Sequence, residues 1–390
     1  MSGPDAQEVY FRTPDEIYSQ AQAYQVMVPV FGPGVIFEAT PELCKTQLKI
    51  QVDALRYQNM KNYAGVIAQE VEEWIAGWGD EGEIEILHAF HELTMHTATH
   101  CLLGKEFRHS MTEEFFSLYK DLQAGVQAIS LVDPYMQQPV FAARDRARER
   151  LEEIVSELVA RRRQTGKAYG DALETFMTGT YSDGSHLTDT ELTGLIIATM
   201  FAGHHTSSGA GAETLLEIAR HPQYAAELKA EIDEIYGEGA EISHAAMRAI
   251  PRLESFINEV LRLHPPLVIL MRKVMEDQEY NGYLIEKGKT VAVSIYESHI
   301  DPEYFPEPHS FDPHRVEPER MFAYIPLGGG RHKCAGSAFA ILQLKAIFSA
   351  LLRCYDFELA GPPEDYVDVR ENMTIRPRDP CVLRYRRRLD

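Results

Sequence analysis

The chain has 390 residues, which allows either one large domain or two to three of average size. Its 45% hydrophobic and 25% charged residues, with 19 Tyr and 17 Phe, exclude a disordered chain. The formal net charge of -21 repels polyanions, so we expect no nucleic-acid partner.

The N-terminal residues predict a protein without a membrane anchor. No uninterrupted apolar stretch approaches the roughly 20 residues that a membrane helix needs. The opening sequence MSGPDAQEVYFRTPDE lacks the charged and apolar regions of a signal peptide. We therefore expect a cytoplasmic location.

Helix signals dominate from about residue 42 to residue 265, and neither a repeat nor a low-complexity linker interrupts them. This organisation predicts a single, mostly helical unit over 1–390. Within it, Thr188 and Glu191 form a capping box that predicts the start of a long helix. The helix would continue through the sequence LTGLIIATMFAGHHTSSGAGAETLLEIAR.

The centre of this helix is unusual, because each of its internal glycines costs about 1 kcal/mol relative to Ala. The Thr206 hydroxyl can reach the carbonyl oxygen of Ala202, four residues earlier, and bend or open the helix there. His204 and His205 are adjacent, so they point in different directions and make a poor metal pair. Ordinary polar helix residues remain the alternative interpretation.

The following segments predict a helix, a small β region and an irregular stretch. Glu259 and Arg262 stand three residues apart, so their side chains share one helix face. Residues 278–295 contain short β-prone runs broken by turn residues, which predicts small strands and hairpins. Residues 301–318 contain too many prolines for a long helix. Residues 338–353 then return to a helical pattern, and a strand is predicted near the C-terminus.

The five cysteines, at 44, 101, 334, 354 and 381, are odd in number and widely spaced. With no CxxC pair among them, disulfides, zinc ribbons and iron–sulfur centres lose support. A lone cysteine is by default a small buried apolar residue. Any cysteine with a chemical role is therefore expected to act alone.

Cys334 is the exception, because it lies in a glycine-rich loop that runs into the helix predicted at 338–353. The glycines allow unusual backbone angles and the close approach of a bulky planar group. The positive end of the helix dipole is expected to lower the pKa of the thiol and favour the thiolate that binds metals. A phosphate-binding loop is the rival, but GxxxxGK[ST] is absent.

The loop resembles the haem-binding signature of the cytochrome P450 family. The matching residues are Leu327, Gly330, His332, Cys334 and Gly336, with Leu327 in place of the family's Phe. This resemblance implies a mainly α fold with a smaller β portion, a triangular helical prism that encloses haem b. It also implies that Cys334 is the haem iron ligand.

Further family elements follow in the family's order. Arg315, in the sequence FDPHR, matches the arginine that completes a structural cluster with Glu259 and Arg262. Thr206 matches the threonine of the groove where dioxygen and its protons are accommodated. The resemblance therefore implies catalytic roles for Thr206 and His205.

His205 narrows the resemblance, because most family members carry an acid before this threonine, whereas the sterol 14α-demethylases carry His-Thr. An N-terminal signature of the same subfamily is also present: Tyr24, Phe31, Gly32, Gly34 and Val35. The two matches are independent of the haem loop and imply steroid metabolism.

The subfamily resemblance implies roles for two further sets of residues. Haem propionates would be held by Tyr24, Lys45, Arg272 and His332, with Gln20 a weaker candidate, because phenols and cations suit carboxylates. The substrate cavity would be lined by apolar residues, for each of which core packing is an equal alternative. These are Met27, Phe31, Val35, Phe37, Met200, Phe201, Ile269, Leu270, Met271 and Met373.

The implied reaction is sterol 14α-demethylation by successive oxygenations with O2. Electrons would come from NAD(P)H through a reductase and a ferredoxin or flavodoxin, since the chain has no flavin or iron–sulfur module. Lys333, Lys345 and the run Arg386 to Arg388 are candidates for docking this partner, although a solvated tail is the simpler interpretation of the run. A sterol-like substrate and azole inhibitors are expected ligands.

One feature departs from the resemblance. Only 23 residues precede Tyr24, so the family's first helix and outer strands are expected to be missing, which would leave an exposed sheet edge. Two alternatives therefore stay open: a monooxygenase of another apolar substrate, such as a fatty acid, polyketide or steroid, and a non-catalytic haem-binding fragment.

Overall fold

The computed structural model describes residues 1–55, 57–110, 113–237, 241–371 and 374–388, and these are mainly helical. The α-helices are α1 Pro4–Arg12, α2 Gln20–Ala23, α3 Val28–Phe31, α4 Pro41–Ala54, α5 Tyr57–Ile75, α6 Ile86–Leu103, α7 Lys105–Ser110, α8 Glu113–Ala124, α9 Pro139–Thr165, α10 Ala172–Thr178, α11 Asp189–Arg220, α12 Pro222–Tyr236, α13 His244–Arg248, α14 Pro251–Leu263, α15 Ile295–His299 and α16 Ser337–Cys354.

The described strands form small antiparallel sheets at the sides of the helices. They are β1 Tyr18–Ser19, β2 Glu81–Glu85, β3 Ile269–Val274, β4 Gln278–Tyr280, β5 Tyr283–Ile285, β6 Thr290–Ser294, β7 Tyr355–Leu359, β8 Asp368–Glu371, β9 Thr374–Pro377 and β10 Val382–Arg387. Two sheets have three strands each, in the orders β1-β3-β6 and β2-β10-β7, and the pairs β4-β5 and β8-β9 are hairpins.

Helix α11 is the central element of the fold, and it packs along α6, α9 and α3. Its start follows the capping box predicted from the sequence, since the Thr188 hydroxyl accepts the Glu191 N–H and the Glu191 carboxylate accepts the Thr188 N–H. Most of the helix is buried. Helices α5, α6, α11, α14 and α16 contribute to one large apolar core.

The glycines of α11 have separate physical reasons. A Cβ added to Gly211 would lie 2.4 Å from the Phe90 ring on α6, so only glycine allows these helices to approach this closely. A Cβ on Gly194 would lie 2.3 Å from the Phe31 carbonyl oxygen. Gly203 has no neighbour within 4 Å of this position, so it borders open space.

The β region and the meander agree with the sequence-based predictions. Strands β4 and β5 pair Tyr280 with Tyr283 across a two-residue turn. Asn281 and Gly282 form this turn at φ 51° and 77°, the left-handed angles that Asn-Gly favours in tight hairpins. Residues 301–318 form turns without a helix or strand.

The N-terminal residues cover part of the sheet edge that was expected to be exposed. Strand β1 pairs with β3, Tyr18 opposite Val274 and Ser19 opposite Lys273. Helix α1 adds Tyr10 to a second apolar cluster over this sheet. The N-terminal ammonium of Met1 donates to the Ala292 carbonyl oxygen of β6 at 2.7 Å. A helix and a short strand therefore do precede Tyr24.

Helix α16 is, among the described residues, the one helix long and apolar enough to cross a membrane. It is also 67% buried inside the protein, and it packs against α5, α12 and α14.

Candidate functional site

Cys334 lies between a tight turn and the start of α16. Its N–H donates to the Leu327 carbonyl oxygen at 2.9 Å, and its own carbonyl oxygen accepts the Ser337 N–H at 3.3 Å. The side chain is exposed, although α16 is buried over most of its length. The loop therefore presents an accessible sulfur on an otherwise packed element.

The expectation that the helix dipole lowers the pKa of Cys334 is wrong for the chain without a metal. Desolvation of the thiol group raises its pKa above the ordinary value, and this outweighs the lowering by the Gly336 N–H and by Lys333. A metal would therefore displace the thiol proton on binding.

The loop glycines contribute mainly through packing. Gly330 has φ 62°, and a Cβ there would lie 2.3 Å from the Phe11 carbonyl oxygen, so it allows the loop to sit against α1. A Cβ on Gly336 would meet Cys334 Sγ only at 3.9 Å, an ordinary contact distance. Leu327, where the family has Phe, is half-buried.

Two of the predicted propionate donors, His332 and Arg272, lie near one carboxylate of the chain itself. The His332 Nε2 atom lies 2.7 Å from the Asp15 Oδ1 atom. Burial raises the pKa of Asp15, but His332, Arg272 and Arg331 together lower it below its ordinary value. This position therefore stabilises a carboxylate, as a propionate site must, while His332 is already paired.

The other predicted donors differ in their surroundings. Arg272 is buried in β3 and lies with its guanidinium 5.1 Å from the Tyr10 ring centre. The Tyr24 hydroxyl accepts the Met271 N–H at 3.2 Å, and burial raises the pKa of this phenol. Lys45 is exposed on α4.

The centre of α11 opens to solvent at Ala202, although the helix is buried on both sides of this turn. The Thr206 hydroxyl donates to the Ala202 carbonyl oxygen at 2.6 Å, as the sequence predicts. Gly203 and Thr206 are also partly accessible. These residues form an accessible wall inside the core.

Three histidines lie next to this wall. The His204 ring is anchored away from it, with Nε2 2.9 Å from the His91 carbonyl oxygen. The His205 ring is partly accessible, and its centre lies 5.5 Å from that of His91. Burial first, then neighbouring positive charge, lowers the pKa of His204 to about 3 and of His205 to about 4. Both rings are therefore neutral at physiological pH.

Sequence reasoning missed two of these neighbours. His91 on α6 contacts both histidines, and the charge of Arg376 on β9 contributes to the lowered pKa values of His91 and His205. Neither residue belongs to a recognisable motif. Only the folded chain brings α6, α11 and β9 together.

A second surface, the aromatic wall, connects the predicted propionate donor Tyr24 with His205 on α11. The rings of Tyr24 and Phe37 have centres 5.6 Å apart, Phe37 stacks on Phe31 at 5.8 Å, and Phe31 meets Phe201 at 6.1 Å. Phe201 then contacts His205 at 5.8 Å. The contacts are continuous, with the Tyr24, Phe37 and Phe31 rings nearly parallel and the Phe201 ring edge-on to those of Phe31 and His205.

The other predicted cavity residues divide into accessible and packed ones. Met27, Ile269, Leu270 and Met271 are partly accessible. Val35 and Met200 are 0% and 2% exposed, so they pack in the core and do not face an open space. Met373 lies outside the described residues.

Glu259, Arg262 and Arg315 form the cluster expected from the sequence. Arg262 donates to both Glu259 carboxylate oxygens, at 2.7 and 2.8 Å, and also to the carbonyl oxygens of His299 and Pro308. Arg315 donates to Glu259 at 3.3 Å. The buried charges are thus hydrogen-bonded on every side, which ties α14 to the meander.

A model of one protein family, cytochrome P450, matches residues 1–381. The chain belongs to the cytochrome P450 family. It is a haem-thiolate monooxygenase of the P450 type, and such enzymes use dioxygen and electrons delivered from outside the P450 domain. A solved structure described as retinoic acid bound cyanobacterial CYP120A1 has the same fold, with a TM-score of 0.91 and 24% identity, over 100% of this chain and 88% of that one.

Relatives with higher identity have more specific names. A sterol 14alpha-demethylase of Mycolicibacterium vanbaalenii is 43% identical over 100% of this chain and 88% of its own length. A sterol 14-demethylase of Arabidopsis thaliana is 36% identical over 100% of this chain and 82% of its own length. The P450 resemblance expected from the motifs is confirmed.

The residues of this P450 fit a haem. The donor set offers one accessible sulfur at Cys334 and a group of cations that already stabilise the carboxylate of Asp15. The accessible turn at Ala202 and the open position beside Gly203 leave room within the core. Sulfur ligand, carboxylate site and open space are the features that a haem requires.

The structure corrects one suggested docking position and the interpretation of the arginine run as a solvated tail. Lys345 is 3% exposed, and its ammonium donates to Glu254 at 2.7 Å. The arginine run is no free tail, because Arg387 pairs with Asp80 at 3.0 Å and Arg388 pairs with Asp233 at 2.6 Å. Lys333 remains exposed beside the Cys334 loop.

Proposed function

We propose that this P450 removes the 14α-methyl group of a sterol by successive oxygenations, with release of formate and formation of a ring double bond. The aromatic wall from Tyr24 to His205 carries the proposal, because a continuous row of packed rings suits an apolar fused-ring substrate. The names of the full-length relatives support it.

In this proposal, Cys334 ligates the iron of haem b, and the thiolate-bound haem supplies the oxygen activation. Arg272, Tyr24, Lys45 and His332 hold the propionates, for which His332 must exchange its contact with Asp15. Gly330 and Gly336 let the loop lie close to the porphyrin. Glu259, Arg262 and Arg315 tie α14 to the meander without touching the reacting atoms.

Thr206 and His205 are proposed to guide protons to the oxygen-binding side. The Thr206 hydroxyl donates a hydrogen bond to the Ala202 carbonyl oxygen in the structure. It can rotate and donate to another acceptor instead. His205 is neutral because burial and neighbouring charge lower the pKa of its ring to about 4. One of its ring nitrogens can therefore accept a hydrogen bond while the other donates one.

Met27, Phe31, Phe37, Phe201, Ile269 and Met271 are the proposed substrate contacts, with Met373 a further candidate from the sequence. Electrons are proposed to come from NAD(P)H through a reductase and a ferredoxin or flavodoxin that docks near Lys333. Azole inhibitors would occupy the same cavity. We also propose that 1–390 forms a single domain in the cytoplasm.

A second candidate is favoured by Arg376. Its guanidinium lies near enough to His91 and His205 to lower the pKa values of both rings. A cation at this place suits an apolar substrate that ends in a carboxylate, such as a fatty acid.

Spectral titration separates the two candidates. We expect a 14α-methyl sterol to shift the haem from low to high spin. The same sterol without the 14α-methyl group is the matched control. A fatty acid of similar length represents the rival substrate class. A high-spin shift with the fatty acid and none with the sterol would overturn the sterol proposal.

A further inference from the structure

Four charged or titratable residues meet at the C-terminal part of α11, about two turns after Thr206. Glu213 and Glu217 lie one turn apart on α11, His264 follows α14, and Asp368 begins β8. The His264 Nδ1 atom lies 2.8 Å from an Asp368 oxygen and 3.6 Å from a Glu213 oxygen. Three separate parts of the chain therefore meet here.

Glu213 is buried in this cluster without a hydrogen-bond partner. It is 1% exposed, and neither of its carboxylate oxygens has a hydrogen-bond partner. A buried carboxylate without hydrogen bonds is strongly unfavourable. Its nearest positive group is the His264 ring, which already bonds to Asp368.

We infer that Glu213, His264 and Asp368 bind a divalent metal ion of the zinc type. One potential ligand atom from each of the three residues lies within 4.8 Å of the other two, and they are the one such group of three among the described residues. Imidazole nitrogen with carboxylate oxygens suits zinc and its neighbours in the first transition row. Nothing in the P450 reaction requires this metal.

The two separations measured from the His264 Nδ1 atom are close to those of a tetrahedral site. Bonds of about 2.0–2.2 Å to zinc place neighbouring ligand atoms about 3.3–3.6 Å apart in a tetrahedron. The 3.6 Å separation of Glu213 and His264 is near this value. The 2.8 Å contact of His264 with Asp368 would open by about half an ångström as the metal replaces the shared proton.

The opposite edge of the imidazole supports the assignment. His264 Nε2 lies 3.5 Å from a Glu217 oxygen, and metal-binding histidines generally direct their second nitrogen to a carboxylate. Glu217 is in turn held by Arg220 and by His221, whose Nδ1 lies 3.2 Å away. Glu217 would thus orient the ring, and Asp368, 24% exposed, gives the ion a path from solvent.

The metal would fix the β8–β9 hairpin to α11 and to the end of α14. Strand β9 carries Arg376 and pairs with β8 through Asp368 opposite Pro377. The ion would therefore act structurally on a hairpin that borders the cavity, with no part in the oxygenation.

The test is the zinc content of tag-free, haem-loaded protein after dialysis against a zinc buffer, relative to its iron content. We expect the wild type to hold one zinc per chain more than Glu213→Gln, and zinc to raise the unfolding temperature of the wild type alone. Glu70→Gln is the matched control, because Glu70 is equally buried but bonds to His100 and Arg108. It should keep the extra zinc.

Asp368→Asn provides a second variant at a partly exposed position, should Glu213→Gln fold poorly. It should weaken zinc binding at least tenfold and leave the ferrous–CO spectrum unchanged. Equal zinc content in the wild type and in either variant would overturn the inference. The same holds if zinc raises the unfolding temperature of the variants as much as that of the wild type.

Discussion

The Cys334 side of the cavity and the α11 side satisfy their polar groups in different ways. Between α14 and the meander, Glu259 and Arg262 form a buried ion pair held by several hydrogen bonds. On the α11 side, His204 and His205 are kept neutral by burial. The first arrangement gives rigidity, and the second keeps proton donors and acceptors available near neutral pH.

The largest expected effect is on the Cys334 side. Cys334→Ala removes the only proposed iron ligand, so the red-shifted Soret band of the ferrous–CO complex and all turnover should disappear. Cys354→Ala, half-buried at the end of α16, is the control and should keep both. A thiolate-type CO spectrum in Cys334→Ala would contradict the assignment of the ligand.

Glu259→Gln should have the next largest effect, because it leaves the buried Arg262 charge without its partner. Breaking such a pair costs about 3–5 kcal/mol of unfolding free energy. Urea unfolding of the haem-loaded protein measures this loss.

The exposed pair Arg384 and Glu83 provides the control. Arg384→Ala should cost no more than about 1 kcal/mol, as for surface ion pairs in general. Similar losses in both variants would show that the buried cluster does not stabilise the fold as proposed.

Thr206→Ala tests the α11 side of the cavity. Loss of a positioned proton donor typically lowers a rate about 10²-fold, so turnover should fall by this factor while the sterol-induced spin shift remains. Thr214→Ala removes the same type of bond on the same helix, from its hydroxyl to the Ala210 carbonyl oxygen. It should leave turnover unchanged, and an equal loss in both variants would rule out a specific role for Thr206.

The smallest effect concerns pH and the neutral histidines. Burial lowers the pKa of His204 to about 3 from its ordinary 6.5, so between pH 4 and 6 the unfolded chain binds a proton that the folded chain does not. The unfolding free energy should therefore fall with decreasing pH, by about 1.4 kcal/mol per pH unit for this group.

His204→Asn should remove this contribution. The slope of its unfolding free energy against pH should then be smaller than that of the wild type, by the equivalent of about one bound proton. Urea unfolding at pH 5 and pH 6 gives both slopes. Parallel slopes for the wild type and the variant would contradict the neutral state of His204.

The two regions also differ in how far the sequence could predict them. The Cys334 loop, the bond from Thr206 to Ala202 and the Glu259–Arg262 pair depend on short spacings, and all were predictable. His91, Arg376 and the group around Glu213 join elements far apart in the chain, so no local pattern reveals them.

Two other predictions failed for a common physical reason, which is burial. Burial raises the pKa of Cys334 more than the helix dipole lowers it. Burial also removes Lys345 from any docking surface, and for Val35 it favours the core-packing interpretation that the sequence had left open. The extent of burial follows from packing, which composition and spacing do not determine.

The most direct test of the proposed function is turnover of a sterol labelled at the 14α-methyl carbon, with NADPH, a reductase and a ferredoxin. The account predicts labelled formate together with a sterol that has lost the methyl group and gained a ring double bond. Oxygenation at another carbon, without labelled formate, would contradict it.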